Sequence, residues 1–467
     1  MNAGVSRRSV LASGLAIGAG LIIPGAPARF LPGGVRAADR RDEPLTESTA
    51  KDTRTDLLIV GAGPFGLSLA AYAQQADIPH MVVGAPMGFW KANMPQGMHL
   101  RSSCDWSLDP LGVHSIDAYL KNIGRICRDV EPLSRNFYLD YAGWFQREKG
   151  IHSLDVTVSS MHTEGRDLVA VTEGGGRIRS RFIVLAIGFG NFAHVPPELA
   201  LAFPRDRCDH TSDLVDFGRL KDQRVLIIGG RQSAFEWAAL MREAGVAAVD
   251  LCYRHDTPAF AASDWRWVNP IVDRMADDPG WYRRLSPDAK QQLDQRFWSE
   301  GRLKLEPWLA SRIKHASIKL HPRTAVTGAD QGASGIEVAL DSGEVLTVDH
   351  VVFATGYKVD FVRVPFLANG LRSSVNVRDG FPVLDEHFQA SVPGLYVTSL
   401  AATRDFGSFL GFTVSVRAQA KIIGRNISEV MNGVAASKAR STLASSRRAI
   451  GAGQRFVPPP AFGAPAN

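Results

Sequence analysis

The stretch "TDLLIVGAGPFGLSLAAYAQQADIPHMVVG", from Thr55 to Gly84, decides the fold. Its pattern predicts an apolar strand over 56–60, a helix to about Ala76 and a second strand over 79–83. Between the first strand and the helix, three closely spaced glycines let the backbone approach a pyrophosphate at the helix N-terminus. The stretch therefore predicts a dinucleotide-binding βαβ unit. The residues expected at the cofactor are Gly61, Ala62, Gly63, Pro64, Phe65 and Gly66.

The same layout recurs in "RVLIIGGRQSAFEWAALMREAG", residues 224–245, where Gly229 follows Gly61 by 168 positions. One residue departs from the glycine fingerprint, because Arg231 stands where the second glycine is expected. Either the Arg231 side chain turns outward and contacts phosphate, or it obstructs the turn and weakens nucleotide binding. The candidate cofactor residues of this second turn are Gly229, Gly230, Arg231, Gln232, Ser233 and Ala234.

The residues after the second strand of each unit bear on nucleotide choice. In the first unit Gly84 stands where an acidic residue usually binds the ribose. In the second unit Arg254 lies 25 residues after Gly229, where a base accommodates the 2′-phosphate of NADPH. The pattern favours NADPH, with a solvated loop arginine as the alternative.

Several motifs together resemble a known family. They are "LLIVGAGPFGLSLAA", Trp90, "GGRQSAFE" and "DHVVFATGY" from Asp349 to Tyr357. This combination is similar to the flavin-containing and N-hydroxylating monooxygenases, the class B flavoproteins. The resemblance implies that the first turn binds FAD and the second NADPH, with Trp90, Thr355, Gly356 and Tyr357 also at the cofactors.

The chain departs from that family at two places. Val362 replaces the His or Pro that ends the late motif, and the family's F-x-G-x-x-x-H-x-x-x-F/Y signature survives only as a trace around Phe203, His210 and Leu214. His210 is the least poor catalytic candidate, although a lone histidine before a strand is more often structural. No catalytic residue is assigned, because the flavin carries the difficult chemistry in such enzymes.

The function implied by the resemblance is reduction of FAD by NADPH, reaction of the reduced flavin with O2 at C4a, and transfer of one oxygen atom. The acceptor is a small-molecule substrate that offers nitrogen, sulfur or a carbonyl carbon. Two alternatives remain: an exported FAD oxidase or dehydrogenase with a degenerate nicotinamide domain, and a non-catalytic flavin-binding protein.

The predicted fold class is α/β, with two Rossmann-like dinucleotide-binding domains, the second inserted into the first, and a helical insertion. The predicted segments are a signal peptide (1–38), a linker (39–54), an FAD domain (55–215 and 330–430), an NAD(P)H domain (216–329) containing the helical insertion (265–316), and a disordered tail (431–467).

Charge is concentrated at the two ends of the chain. The 467 residues carry 53 basic and 47 acidic side chains, yet residues 1–37 hold four bases and residues 431–467 hold five, with no acid in either segment. Without those nine bases, 44 bases face 47 acids. The basic balance therefore gives no support to a nucleic-acid partner.

The N-terminus resembles a twin-arginine signal in "SRRSVL", with Arg7 and Arg8, followed by an apolar run over 11–23. That run is too short for an ordinary membrane span. Cleavage is expected before Ala38 or after Ala28. We expect export by the twin-arginine machinery, which carries folded proteins with their cofactors, and the alternative is a basic leader or uncleaved anchor on a cytoplasmic protein. Nothing in the sequence determines the oligomeric state.

Cysteine spacing excludes some chemistry. The four cysteines, Cys104, Cys127, Cys208 and Cys252, form no C-x-x-C or other close pair. Neither a dithiol redox centre nor a metal site is expected. A disulfide is permitted by the expected export, but the sequence does not choose a pair.

Overall fold

The structure, a computed structural model, describes residues 52–451, with side chains as far as Gly433. The predicted signal peptide and residues 452–467 of the predicted tail lie outside this part of the chain. The strands are β1 (Asp52–Val60), β2 (His80–Val83), β3 (Ser153–Leu154), β4 (Val158–Glu164), β5 (Asp167–Thr172), β6 (Arg177–Leu185), β7 (Cys208–His210), β8 (Arg224–Ile228), β9 (Ala248–Tyr253), β10 (Ala259–Phe260), β11 (Lys304–Leu305), β12 (Ile318–Pro322), β13 (Val326–Gly332), β14 (Gly335–Leu340), β15 (Val345–Val348), β16 (His350–Phe353), β17 (Val377–Arg378), β18 (Phe381–Pro382) and β19 (Leu395–Val397).

Helices alternate with these strands and supply the layers that cover the sheets. They are α1 (Pro64–Gln75), α2 (Gly88–Ala92), α3 (Ile116–Asn122), α4 (Arg135–Lys149), α5 (Pro197–Ala202), α6 (Gln232–Glu243), α7 (Asn269–Asp277), α8 (Trp281–Arg284), α9 (Pro287–Phe297), α10 (Leu309–Ile313), α11 (Asn369–Ser374), α12 (Thr403–Phe406) and α13 (Val416–Gly451).

The first sheet has seven strands and is organised around β6. The parallel part runs β3-β2-β1-β6-β19, and the start of β6 also pairs antiparallel with β5 in the β4-β5-β6 meander. Residues 57–59 of β1 are fully buried, as expected of a parallel strand covered on both faces. Helix α13 packs on α1, and a Cβ at Gly424 would lie 2.1 Å from the Tyr72 ring.

The second sheet is parallel throughout, in the order β12-β9-β8-β16-β7. A separate antiparallel meander, β13-β14-β15, precedes β16. Because the chain leaves the first sheet after β6 and returns to it only at β19, the second domain is inserted into the first. The predicted fold class is therefore confirmed.

Three predicted limits differ from the structure. Strand β1 begins at Asp52, inside the predicted linker, because its first residues pair with Arg177–Arg179 of β6. The second sheet takes in β7 and extends to Phe353, so the limits set at 216 and 330 are respectively too late and too early. Helix α13 continues to Gly451, through part of the predicted disordered tail, where alanine and other good helix formers predominate.

The region between β10 and β12 contains helices α7 to α10, which pack partly against the first domain. Val268 and Val272 belong to the same buried core as Leu57 and Ile423, whereas Leu305 and Leu309 belong to the core of the second sheet. The insertion therefore touches both domains. Among the helices in residues 52–451, none has the length and apolar character needed to cross a membrane.

Cys104 and Cys127 form a disulfide that joins the segment before α3 to the segment after it. Cys208 and Cys252 are free thiols. The Cys104 and Cys127 sulfurs also lie near the carboxylate of Glu131, but sulfurs bonded to each other are not the thiolate ligands that a zinc ion needs.

Candidate functional site

A cavity of about 1130 Å³ lies between the two nucleotide-type turns. Its volume slightly exceeds the usual range of roughly 300–1,000 Å³ for a small-molecule pocket. Every predicted cofactor residue except Gly66 lines it, including Trp90 and Thr355 to Tyr357. The sequence motifs therefore converge on one site, although they are spread over about 300 positions of the chain.

The first turn has the geometry that a bound pyrophosphate requires. Gly61 has a φ of +113°, and a Cβ there would lie 2.3 Å from the Ala186 carbonyl oxygen. At Gly66 a Cβ would lie 1.8 Å from the Gly61 carbonyl oxygen, which explains why Gly66 is needed without lining the cavity. At Gly63, by contrast, no described residue lies within 4 Å of such a Cβ. This open backbone and the uncapped start of α1 fit the pyrophosphate of FAD.

The end of β2 explains the missing ribose acid. Gly84 has a φ of +119° and lies close to the first turn, since a Cβ there would be 3.5 Å from the Gly61 Cα. The chain then enters α2, where Trp90 lines the cavity and stacks on Tyr138 with 4.7 Å between ring centroids. The positive φ at this position therefore favours glycine over the acidic residue that is usual there.

The second turn repeats the first. Gly229 has a φ of +144°, and a Cβ there would lie 2.4 Å from the Ala354 carbonyl oxygen. Gly230 is held close to β9, because a Cβ at this position would lie 2.5 Å from the side chain of Tyr253. Helix α6 starts without a side-chain cap and has no acidic residue in its first turn. Its N-terminus is therefore available to an anion.

Arg231 does not distort this turn. Its backbone angles, φ −110° and ψ −177°, resemble those of Gly63, φ −83° and ψ −170°, and any residue adopts them. The side chain lines the cavity and donates from Nη1 to the Arg302 carbonyl oxygen at 3.1 Å. Burial lowers the pKa of the Arg231 guanidinium. The turn therefore keeps its backbone geometry at Arg231, and both accounts of the side chain, contact with phosphate and obstruction of the site, stay predictions.

Arg254 follows β9 and is exposed at the edge of the same cavity. Arg101, Arg231 and Arg302 also line it. Loss of hydration, together with the charges of Arg231 and Arg101, lowers the pKa of Arg302. The described acidic residues in the lining are Glu198 and Glu236. The cavity therefore favours anionic ligands.

The two crossovers between the domains meet at the cavity. Gly356 has a φ of +80°, and its carbonyl oxygen accepts a hydrogen bond from the His194 backbone N–H at 3.0 Å. Thr355 donates its hydroxyl to the His194 carbonyl oxygen, and the Tyr357 ring packs edge-on against Phe189. Residues of the late motif thus hold the crossovers together beside the cofactor space.

His210 has a structural position. It is buried outside the cavity lining, where Nε2 donates to the Gly356 carbonyl oxygen at 3.0 Å and Nδ1 lies 2.8 Å from the Ser212 hydroxyl. Burial lowers the pKa of His210, so the neutral ring is favoured. Both ring nitrogens are engaged, which supports the structural alternative for this residue.

Asp349, the first residue of the late motif, is also structural. Its carboxylate accepts hydrogen bonds from the Arg224 backbone N–H at 2.8 Å and from the Arg224 side chain at 2.6 and 3.0 Å. These bonds, that with the Arg224 side chain first, lower the pKa of Asp349. The contact holds the start of β16 against the start of β8, and so positions the glycine turn at the far end of β8.

The structure adds cavity residues that no motif identified. Among them are His99, Arg101, Trp265 and the positive-φ residue Ser399, and Glu236, the last residue of the GGRQSAFE motif, also lines the cavity. The position of Glu236 could have been recognised from the sequence, because an acidic residue on the apolar face of α6 is expected to be buried. The other residues come from irregular segments and the insertion, where sequence does not indicate which side chains turn inward.

Two nucleotide-type domains, one built on a mixed sheet and the other, inserted into it, on a parallel sheet, open on one cavity and define the class of the protein as a two-domain flavoprotein oxidoreductase. Family models described as pyridine nucleotide-disulphide oxidoreductase match residues 58–277 and 293–399. The chain is built of domains of that family and is a flavin-dependent oxidoreductase. The disulfide-bonded Cys104 and Cys127 are not among the residues that line the cavity.

Two curated relatives are each about one quarter identical to this chain over the aligned residues. An FAD-dependent urate hydroxylase of Xanthomonas campestris pv. campestris is 26% identical over 326 residues, which are 65% of this chain and 66% of the relative. An L-lysine N6-monooxygenase of Escherichia coli is 26% identical over 371 residues, which are 70% of this chain and 84% of the relative. The chain thus spans about two thirds of the urate hydroxylase and more of the lysine enzyme.

Solved structures match over most of the fold. The ornithine N-hydroxylase of Kutzneria sp. 744 superposes with a TM-score of 0.67 at 18% identity, covering 81% of this chain and all of that chain. The L-lysine 6-monooxygenase of Pseudomonas syringae gives a TM-score of 0.62 at 22% identity, covering 80% of this chain and 99% of that one. The predicted class B monooxygenase-like fold is confirmed.

The first turn generates a test with a matched pair of alanine variants. We expect Gly63→Ala to fold with an unchanged melting temperature but to bind FAD at least about tenfold more weakly, because the methyl group enters the pyrophosphate space. Gly66→Ala should fail to fold or melt at a clearly lower temperature, because its Cβ meets backbone. Melting curves and flavin absorbance measure both effects. Equal FAD affinity in Gly63→Ala and the native protein would place the pyrophosphate elsewhere.

Proposed function

We propose that this protein is an FAD-dependent, NADPH-using monooxygenase that transfers one oxygen atom of O2 to a small soft-nucleophile substrate at nitrogen, sulfur or a carbonyl carbon. One observation carries the proposal: both glycine turns open on the same cavity, so two dinucleotides can meet there. A structural flavoprotein has no need of a second open turn. The fold shared with N-hydroxylating monooxygenases supports the same function.

FAD is assigned to the first turn and NADPH to the second. Backbone around Gly63 and the α1 N-terminus would hold the FAD pyrophosphate, with Gly84 beside it. When bound, FAD would supply the redox chemistry by which electrons of NADPH reduce O2, with one oxygen atom passing to the substrate and the other to water. The protein binds and orients these molecules, with Arg254 placed for the 2′-phosphate and Arg231 for the pyrophosphate of NADPH.

Aromatic side chains would shield this chemistry from water. Trp265 packs against Phe297 with 5.5 Å between ring centroids, Phe297 against Phe412 at 5.7 Å, and Trp265 against Trp106 at 6.4 Å. All four line the cavity. Such a wall excludes solvent that would otherwise intercept reactive oxygen, and it also strengthens the polar contacts inside.

The decisive experiment is anaerobic reduction. The purified holoprotein, with its flavin spectrum recorded, is mixed with NADPH without oxygen. We expect the absorbance of oxidised flavin to bleach within seconds, because the two dinucleotides share the cavity. A flavin that stays oxidised at millimolar NADPH contradicts the proposal and favours the FAD oxidase or dehydrogenase alternative.

Arg254→Ala tests the nucleotide assignment. Loss of a charge-assisted contact to the 2′-phosphate, worth about 1.5–3 kcal/mol, should weaken NADPH about tenfold or more and leave NADH nearly unchanged. The measurement is the nucleotide dependence of the anaerobic reduction rate. Arg323→Ala is the control, since Arg323 is an exposed base outside the cavity lining that pairs with Asp256. Equal weakening of NADPH and NADH would remove Arg254 from this role.

Arg231→Ala tests the departure from the glycine fingerprint. If the guanidinium contacts the NADPH pyrophosphate, the variant binds both NADPH and NADH several-fold more weakly, because both carry that group. Since the Arg231 backbone matches that of Gly63, we expect folding and FAD content to be unaffected. Tighter nucleotide binding in Arg231→Ala would show instead that the side chain blocks the site.

Export through the twin-arginine pathway is the second part of the proposal. The "SRRSVL" leader suggests it, and the Cys104–Cys127 disulfide supports it, because disulfides persist mainly in oxidising compartments. An exported enzyme lies away from the cytoplasmic NADPH pool. This favours the oxidase or dehydrogenase alternative and makes the anaerobic test the deciding one.

Replacing Arg7 and Arg8 together with lysine should keep the protein in the cytoplasm. Cell fractionation measures location, and thiol titration of the denatured protein gives a second readout: two free thiols in exported protein and four in retained protein. A variant exported as efficiently as the native chain would show that the leader is not a twin-arginine signal.

A further inference from the structure

Part of the cavity lies beyond the second glycine turn, and its polar lining includes Gln232 of that turn and residues outside it. It comprises His99, Gln232, Glu236 and Trp265, here named the Glu236 pocket. His99 comes from the first domain, Gln232 and Glu236 from α6 of the second domain, and Trp265 from the start of the helical insertion. Three separate parts of the chain therefore build it.

Contacts with neighbouring residues hold the side chains of Glu236, Gln232 and Trp265 in place. Glu236 Oε1 accepts the His99 backbone N–H at 2.7 Å, and Gln232 Oε1 accepts the Glu306 backbone N–H at 3.1 Å. Arg101 lies over the Trp265 ring at 5.9 Å and pairs with Glu306 at 2.7 Å. These contacts therefore fix the positions of the side chains that line the pocket.

Apart from the contact between the Gln232 amide and the Glu236 carboxyl, one helical turn apart on α6, the remaining polar atoms of these residues have no partner among the described residues. They are His99 Nδ1, Gln232 Nε2, Glu236 Oε2 and Trp265 Nε1, and all four are buried. Glu236 is completely buried. An unpaired buried polar atom costs about 1–3 kcal/mol, so four such atoms at one cavity are expected to face a hydrogen-bonding ligand.

The protonation of the pocket decides what kind of ligand suits it. Burial raises the pKa of Glu236 to about 8, opposed by the His99 backbone hydrogen bond, so the carboxyl is mainly protonated at neutral pH and can donate. Burial, with the charge of Arg312, lowers the pKa of His99, which favours the neutral ring. The Gln232 amide and Trp265 indole also donate. Donors therefore predominate over acceptors.

An ammonium group suits this pocket poorly. It offers only donors, and it would face the donor groups of Gln232, Trp265 and Arg101. Carbonyl oxygens, by contrast, accept from Glu236, Gln232 and Trp265, while one ring N–H can donate to His99. The Trp106, Trp265 and Phe297 rings beside these groups suit a flat molecule.

From this arrangement we infer that the Glu236 pocket is the substrate subsite and that it recognises a planar nitrogen heterocycle rich in carbonyl oxygens, of the oxopurine type. The inference rests on the proposed function, because it names the substrate class of the same cavity. Urate, the compound in the name of one curated relative, belongs to this class and is a suitable probe. Lysine and ornithine, with flexible ammonium-bearing chains, do not.

The test uses the oxidised holoprotein without NADPH, so that it is independent of flavin reduction. Urate, xanthine, L-lysine and L-ornithine are titrated while the flavin difference spectrum is followed. We expect urate or xanthine to bind saturably and the two amino acids to give no saturable change. Saturable binding of either amino acid, or no binding of either oxopurine, overturns the inference, whatever the outcome of the anaerobic NADPH test.

Variants at one position separate recognition from packing. Glu236→Leu should raise the oxopurine dissociation constant at least about tenfold, because the donor is lost. Glu236→Gln keeps a donor and an acceptor and should stay within about threefold of the native value. Glu429→Gln, at an exposed position of α13 outside the cavity lining, is the control. Flavin content and melting temperature are recorded for each.

Competition with NADP+ tests whether the nicotinamide, instead of the substrate, occupies the Glu236 pocket. If the nicotinamide fills the Glu236 pocket, NADP+ displaces the oxopurine and Glu236→Leu weakens NADP+ as much as it weakens the oxopurine. That result overturns the assignment to substrate. Oxopurine binding that survives saturating NADP+, with NADP+ affinity unchanged in Glu236→Leu, supports it.

Discussion

The close approach of each glycine turn to a crossover strand is the constraint on which the site depends. Gly61 faces the Ala186 carbonyl and Gly229 faces the Ala354 carbonyl, with space for no more than a hydrogen atom on the glycine. The backbone bonds repeat as well: Ala186 donates to Val60, and Ala354 donates to Ile228. Each crossover is thereby held beside its glycine turn. The cavity lies between the turn and crossover of the first domain and the turn and crossover of the second.

This repeat also shows what is individual to the chain. At the position of Gly63 the second domain has Arg231, with nearly the same backbone conformation. The second turn therefore differs from the fingerprint in its side chain, while its backbone conformation stays that of the first turn. It adds a positive charge to a cavity that already has Arg101, Arg254 and Arg302 in its lining. The chain builds the second nucleotide site with more charge and less open backbone than the first.

The sequence predicted the parts of this molecule that local chemistry determines. Both βαβ units, the fold class and the convergence of the motifs follow from glycine spacing and apolar strands, which act over short distances. The domain limits were less accurate. Strand β16 belongs to the second sheet because it pairs between β8 and β7, and no local sequence pattern predicts that pairing.

The candidate site divides in the same way. Gly61 to Gly66 and Gly229 to Ala234 carry recognisable spacing, whereas His99, Arg101 and Trp265 reach the cavity from segments whose course depends on tertiary contacts. His210 shows the opposite case. It belongs to a recognisable signature, yet its Nε2 donates to the Gly356 carbonyl oxygen and its Nδ1 contacts the Ser212 hydroxyl.

The return of the chain to β19 has a consequence for the order of events during synthesis. Strand β6 has its final neighbour only when residues 395–397 are available, and α1 is covered only when α13 has formed. The second domain lies wholly between these points and can complete its sheet first. The FAD site is therefore completed only after residues 395–397 and α13 have been made, and a chain truncated before β19 has no finished flavin domain.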